Sequence, residues 1–391
     1  MISDCSPTNF KFKRSYKLIN ISTIDVFVYR YPLETPVQTS FGTMLSRPMV
    51  IVKITDVDGI IGWGEIWCNF PNVGAEHRAR LIDQLFAPLI LSKNFKNAEH
   101  AFDYMTEKTW ILGLQTGEKG PLAQCIAGLE IALCDIEGKQ KNLPIWKLFG
   151  GTNDSVSTYA SGINPNNPEV LVSESIALGY DSFKLKIGFN NDLDLRNLSA
   201  VRQIIGLNGT LLADANQAWS INEISKKLNM LEPFNLKWLE EPIAADRPLS
   251  EWKIVKKNAT MAIAAGENIQ GQSSFDEIIK NNVLDVIQPD LAKWGGLSKT
   301  IPLARQIIGS GKLYCPHYLG GGIGLVASAH ALAAVGGNGM LEVDINPNPL
   351  RSEMVGDMFA STPAKATLGM NAGLGYEPNL AAIKNYQVIY H

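Results

Sequence analysis

Three acidic residues, Asp214, Glu240 and Glu267, each close a short apolar run: Leu-Leu-Ala-Asp214, Lys-Trp-Leu-Glu240 and Ile-Ala-Ala-Gly-Glu267. The numbering places them 26 and 27 positions apart. Such an interval holds one strand, one loop and one returning helix, the repeat of a βαβ unit. Neighbouring parallel strands would then deliver three carboxylates to one end of a sheet. Their mutual repulsion calls for a cation, and an all-oxygen donor set favours a single Mg²⁺ or Mn²⁺ over zinc. The plainer alternative is that each acid merely begins a solvated loop.

Other strand ends add proton-transfer groups. Lys184 and Lys186 are two apart, so on a strand both ammonium groups face the same mouth, roughly 7 Å apart at the backbone. Repulsion and partial burial are expected to depress at least one of them and supply a neutral amine base. Asp214 and Asn216 share a face in the same way. Asp290 closes a further run, with Lys293 three positions on. His317 follows Asp290 by 27 positions, one βα unit along. A carboxylate beside an imidazole fixes its tautomer and stabilises its cation, which suits acid or base work. Glu342 ends the last run. Lysine on one flank, His-Asp on the other and a cation between can move a proton beside a bound carboxylate. The cation and Lys184 would stabilise the enediolate left when the α-proton departs.

The elements that must position these groups begin after Gly150-Gly151. Strands are predicted near Ser155–Ala160, Ser182–Ile187, Leu211–Asn216, Leu236–Glu241, Ala262–Glu267, Leu284–Asp290, Leu313–His317 and Met340–Asp344. Helices lie between them, for example at Pro168–Leu178, Ser274–Asn281, Lys299–Ile308 and Ala327–Val335. Eight strands alternating with helices argue for a closed (β/α)₈-type barrel, whose chemistry sits at the C-terminal strand ends. An open doubly wound sheet would want Gly-x-Gly-x-x-Gly after its first strand, and none is there.

The chain before the barrel reads differently. Residues 1–20 are expected to be a frayed leader. Residues 21–150 read as an α+β domain. It has a strand at Ile24–Tyr31, a hairpin of Pro48–Ile54 with Ile60–Glu65, and helices at Glu76–Leu91, Ala98–Thr109 and Leu122–Gln140. Pro32–Arg47 is expected to be a polar loop over the barrel mouth, with Thr39 and Ser40 as candidate substrate contacts. Nothing in this domain reads as a catalytic centre. The barrel is expected over 151–345. A Pro- and Gly-rich tail, 346–391, is expected to fold back on the first domain.

Composition narrows the class. In 391 residues, 46% apolar content is ample for a large core, and a net charge of −3 argues against nucleic acid or a polybasic membrane contact. No apolar run approaches the roughly 18 residues of a membrane span, and the first residues lack the apolar core of a secretory signal. Five scattered cysteines without Cys-x-x-Cys fit a reducing cytoplasm.

Over about residues 20 to 385 the chain resembles the enolase superfamily, in its mandelate racemase/muconate lactonizing enzyme group. The matching pieces are Leu129-Glu-Ile-Ala-Leu-Cys-Asp135 leading to Gly138-Lys139, Leu148-Phe-Gly-Gly151, Lys184-Leu-Lys186, Asp214-Ala-Asn216, Glu240-Glu-Pro242, Gly266-Glu267 and Asp290-Leu-Ala-Lys293-Trp-Gly-Gly296. The resemblance implies a modified (β/α)₇β barrel under an α+β capping domain, which the C-terminal tail completes. It implies one Mg²⁺ on Asp214, Glu240 and Glu267, with Lys186 as acid/base and Lys184 holding the substrate carboxylate. A Lys or His base with Mg²⁺ is the known pattern of that superfamily. Family members are usually dimers or octamers.

Within the group, muconate lactonizing enzymes and dipeptide epimerases resemble each other in a lysine where this chain has Asp290. Mandelate racemase and the acid-sugar dehydratases carry Asp there and His on the next strand, as Asp290 and His317 do. Glu342 resembles their carboxylate-binding glutamate. Trp294 and the loop Cys315-Pro-His-Tyr-Leu-Gly-Gly-Gly-Ile depart from the group and are expected at the pocket wall. The implied reaction is dehydration of a sugar acid to a 2-keto-3-deoxy acid; racemisation or epimerisation of a hydroxy acid uses the same groups. A non-catalytic binding protein would not need all of them. A metal-dependent hydrolase would want further histidines, and His77, His100, His330 and His391 end none of the strands.

Overall fold

The computed structural model describes residues 17–39 and 42–390. Eight parallel strands form a nearly closed barrel: Ser155–Ile163, Ser182–Lys186, Thr210–Asp214, Trp238–Glu240, Ala262–Ala265, Val286–Ile287, Leu313–Tyr314 and Met340–Asp344. Each of the first six pairs with the next, and the eighth pairs with the first. Between the seventh and eighth the ladder gives way to single contacts, such as the Met340 N–H on the Cys315 sulfur at 3.4 Å. Helices follow the strands and start and stop on local signals. Asn190 caps Asn191–Ile205 by accepting from the Leu193 N–H, and Pro168 opens a helix that Gly179 ends in the left-handed region.

Period two builds the mouth. Tyr159, Leu212, Trp238, Ala264, Val286, Cys315 and Met340 form one packed layer inside the barrel, with Tyr159 edge-on to Trp238 at 5.6 Å. Two residues further along the same strands, on the same inward face, stand Ser161, Asp214, Glu240, Gly266, Gln288, His317 and Glu342. The apolar layer is the floor on which the polar ring rests, which is how barrel interiors are filled.

An antiparallel sheet makes up the N-terminal domain. Ile19–Thr39 pairs with Gly42–Asp56, which pairs with Ile61–Ile66. Gln387–Val388 from the C-terminal segment adds to the first strand. Two readings of this region are corrected. The strand already begins at Ile19, where Ile19 and Asn20 pair with Phe95 and Asn94, so residues 19–20 are not a leader. Pro32–Arg47 is not a loop: it is the outer half of a long hairpin, with Val37 opposite Met44 and Thr39 opposite Gly42. The prolines only shift the register between Pro32 and Val37, as an edge strand tolerates.

The sheet lies on the helix Lys119–Lys141 with almost no side chain between them. A Cβ on Gly62 or Gly64 would fall 2.0 Å from the carbonyl oxygen of Ala132 or Gly128. Three buried carboxylates tie this domain down, Glu65 and Glu130 to the barrel and Asp135 to the C-terminal segment. Glu65 accepts from the Gly321 and Gly324 N–H groups at 2.5 and 2.9 Å. Glu130 accepts from Leu297 and Ser298 at 2.7 and 2.9 Å, and Asp135 accepts from Trp63 and Leu374 at 3.0 and 2.8 Å. Glu65 and Glu130 thereby cap the N-termini of the helices Gly322–Val335 and Gly296–Gly309, whose first N–H groups have no partner within the helix. Buried His330 joins the same seam, taking the Trp146 N–H on Nδ1 and donating from Nε2 to the Leu374 carbonyl.

Candidate active site

A cavity of about 310 Å³ opens at the C-terminal strand ends. Lys184, Lys186, Asp214, Asn216, Glu267, His317 and Glu342 line it, seven residues singled out by spacing. Parallel register makes Lys186, Asp214 and Glu240 direct neighbours across two ladders. Glu267 follows two residues after its strand ends. The turns that carry the ring are tight: Asn216, Gln217 and Glu241 hold φ at +42°, +65° and +39°, conformations that persist only where surroundings enforce them.

On one flank, Lys186 donates to the Asn216 side-chain oxygen Oδ1 at 2.8 Å and lies 3.6 Å from Asp214. Lys184 sits deeper. Its ammonium is 2.8 Å from both oxygens of Glu240 and 2.7 Å from Glu342, above the Tyr159 ring. The expectation that lysine crowding would depress one of the pair is corrected for Lys184. Burial pulls its ammonium down, but Glu240 and then Glu342 outweigh it and hold the group well above its usual range. Two carboxylates sharing one ammonium leave Glu240 short of countercharge. Burial pushes it up to about 7, with Lys184 pulling back and Asp214 and Glu342 pushing further.

On the opposite flank, His317 Nδ1 is 2.8 Å from Asp290, and its Nε2 contacts Glu267. Burial lowers the imidazole, yet Glu267, Glu342 and the bond to Asp290 hold it well above 6.5. These neighbours favour the imidazolium form of His317, the form that can donate a proton. Lys293, whose ammonium lies 4.8 Å over the Trp67 ring, reaches Asn268 at 3.2 Å and Glu267 at 3.5 Å.

The three acids Asp214, Glu240 and Glu267 occupy one end of the barrel. Each is already neutralised or bonded within the protein: Asp214 by Asn216, Glu240 by Lys184 and Gln288, Glu267 by His317. Among the described residues, no three acidic, His or Cys side chains are drawn closely enough to grip a metal as they stand. The donor chemistry nevertheless fits a hard divalent cation. Glu240 is pushed up by burial, with Asp214 and Glu342 adding to it, and the buried Glu241 carboxyl beside it is held well above its usual range by burial, then by Glu267 and Asp214. Added positive charge relieves such crowding.

Several lining residues escaped the sequence reading. Ser161, which donates to Glu342 at 2.5 Å, and Gln288 follow from period two once the floor layer is known. Arg47, Trp67, Asn69 and Phe70 come from the N-terminal domain, where no spacing marked them. Trp294 is corrected: it does not line this cavity but packs near Phe275, ring centroids 6.0 Å apart, beside a separate groove. After His317, Leu319 does line the wall. Thr39 ends a strand, and Ser40 lies outside the described residues.

Comparison with known proteins places this geometry. The mandelate racemase/muconate lactonizing enzyme N-terminal domain matches residues 22–150, and the enolase C-terminal domain-like family matches residues 170–382. D-galactarolactone cycloisomerase of Agrobacterium fabrum is 27% identical over 95% of this chain and 99% of its own. Arabinonate dehydratase of Saccharolobus solfataricus is 27% identical over 88% of this chain and 92% of its own. A solved mandelate racemase/muconate lactonizing enzyme from Bordetella bronchiseptica RB50 is 46% identical with a TM-score of 0.89, covering 95% of this chain and 100% of its own. A racemase from Streptomyces coelicolor A3(2), solved with bound magnesium, is 25% identical with a TM-score of 0.83 over 94% and 100%.

Proposed function

The chain belongs to the enolase superfamily, in its mandelate racemase/muconate lactonizing enzyme group, and from that premise we propose a Mg²⁺-dependent dehydratase of sugar acids. Enzymes of this family abstract a proton beside a carboxylate. The observation that carries the reading here is one cavity with Lys186 on one wall and the protonated His317–Asp290 pair on the other.

Asp214, Glu240 and Glu267 are the residues that would hold Mg²⁺, in competition with Lys184 for Glu240 and with His317 for Glu267. The ion, when bound, supplies Lewis-acid charge to the substrate carboxylate. Lys184, fully charged, adds a fixed positive charge beside it, and Glu342 and Ser161 hold Lys184's surroundings in place. The Lys186 Nζ takes the α-proton. His317 gives its Nε2 proton to the β-hydroxyl as the carbon–oxygen bond breaks, so the group leaves as water. The resulting enol becomes the 2-keto-3-deoxy acid. Asp290 keeps the imidazole oriented and carries part of its charge. Arabinonate dehydratase among the relatives supports loss of water as the outcome.

A second reading shares the two flanks: if His317 returns a proton to the opposite face of the α-carbon, the substrate is racemised or epimerised. Incubation of the Mg²⁺-loaded protein with aldonic and aldaric acids in D₂O separates the two. Dehydration yields a keto acid detected by semicarbazide. Deuterium uptake with optical change and no keto acid would establish the racemase instead, and neither signal from any acid would overturn both.

A further inference from the structure

Resting on that reading, we infer that Arg47 recognises a second carboxylate on the substrate, so that the preferred substrates are aldaric diacids rather than aldonic monoacids. Arg47 leaves the hairpin of the capping domain and lines the cavity at 3% exposure. One of its amino nitrogens, Nη2, is 2.5 Å from Asp344. The same Asp344 oxygen also takes Arg351 at 3.2 Å, and the other oxygen is occupied by Asn346. Two guanidinium groups therefore share one carboxylate, and one positive charge is left over in a buried place.

Arg351 directs its other nitrogen to the Asn346 carbonyl at 2.7 Å, away from the cavity. Arg47 has no such outlet. Among the described residues its Nη1 meets only the Met44 sulfur at 3.6 Å, a weak acceptor, and its Nε has no partner. A buried guanidinium with idle donors is costly unless an anion completes it. A planar carboxylate matches the guanidinium fork in shape as well as charge.

Position fits the same conclusion. Asp344 lies two residues beyond Glu342 on one strand, roughly 7 Å outward on the same face. Glu342 anchors Lys184 and Asp344 anchors Arg47, so the two cations mark the inner and outer ends of the pocket.

The test compares each aldaric acid with the aldonic acid of the same configuration (galactaric with galactonic, glucaric with gluconic, mannaric with mannonic) on the Mg²⁺-loaded protein. The wild type is expected to favour the diacid at least about tenfold in kcat/KM, and Arg47→Gln to lose about 100-fold on the diacid. The monoacid should change less than about tenfold, since a neutral end loses only an ordinary hydrogen bond. Arg47→Lys, which keeps the charge without the fork, should recover part of the loss and serves alone if Arg47→Gln does not fold. Equal losses on both acids, or a wild-type preference for the monoacid, would overturn the inference. If no acid is turned over, the dehydratase reading fails by itself, and calorimetric binding of the same pairs decides this one. Tighter, Arg47-dependent binding of the diacid upholds it; equal binding or none ends it.

Discussion

Two sets of buried carboxylates do opposite work in this protein. At the seam between domains, Glu65, Glu130 and Asp135 are held largely by backbone N–H groups, which cannot leave. At the barrel mouth, Glu240, Glu267 and Glu342 are held mainly by the side chains of Lys184, His317, Gln288 and Ser161, with a single backbone N–H, that of Tyr318, on Glu342 at 3.3 Å. Burial is the same; the mobility of the partner differs. A carboxylate tied to a helix N-terminus is a rivet, whereas one tied to an ammonium or imidazolium can exchange that partner for a substrate or a cation.

The sharpest way to break this division is at the mouth. Lys186→Ala and His317→Ala are each expected to lower turnover about 10²–10⁴-fold with little change in Tm. Global unfolding of either variant would show that the mouth also holds the fold together.

At the seam the reverse is expected. Glu130→Ala strands two backbone N–H groups and the Ser298 hydroxyl, and should cost about 3 kcal/mol in urea unfolding. Activity per folded molecule should stay near wild type. Loss of activity without loss of stability would erase the distinction between rivet and exchangeable partner.

His330 sharpens the comparison through pH. Burial depresses its imidazole to about 4 against an ordinary value of 6.5, and both ring nitrogens are bonded in the neutral form. Because the folded value is the lower one, its contribution is present above 6.5 and is lost as pH falls through about 4. The full loss is about 3 kcal/mol. Urea midpoints for wild type and His330→Asn should therefore converge on acidification; parallel curves would remove His330 from the seam's account.

The smallest effect belongs to an exposed pair over the same seam. Lys299 meets Glu99 at 2.9 Å and Asp103 at 2.8 Å, with Glu99 half in solvent. Glu99→Ala is expected to change stability by less than about 1 kcal/mol, and less again in high salt. A larger loss would mean that burial is not what separates Glu130 from its neighbours.

Much of this was legible before any coordinates. Repeating intervals located all eight barrel strands, and the strand ends they mark carry most of the acids, lysines and histidines at the mouth; Glu241 is the exception the spacing did not single out. The hairpin at Pro32–Arg47 was hidden because two prolines and a polar run look like a break in pairing, while the pairing itself comes from a strand not yet placed beside it. Arg47 was hidden with it. The charge on Lys184 is hidden for a related reason: its neighbour in sequence is another lysine, but its neighbours in space are Glu240 and Glu342, 56 and 158 positions away, which hold its ammonium up.

By itself, then, the sequence determined which residues stand at the strand ends and which way they face, because apolar period and chain order fix both locally. Tertiary structure alone decided which charge meets which, since Coulomb and hydrogen-bond energies depend on distance in space. It also decided that Glu130 is a rivet and Glu240 an exchangeable partner, although both are acids in apolar surroundings. Only closure of the barrel under its cap brings a backbone N–H to one and an ammonium to the other.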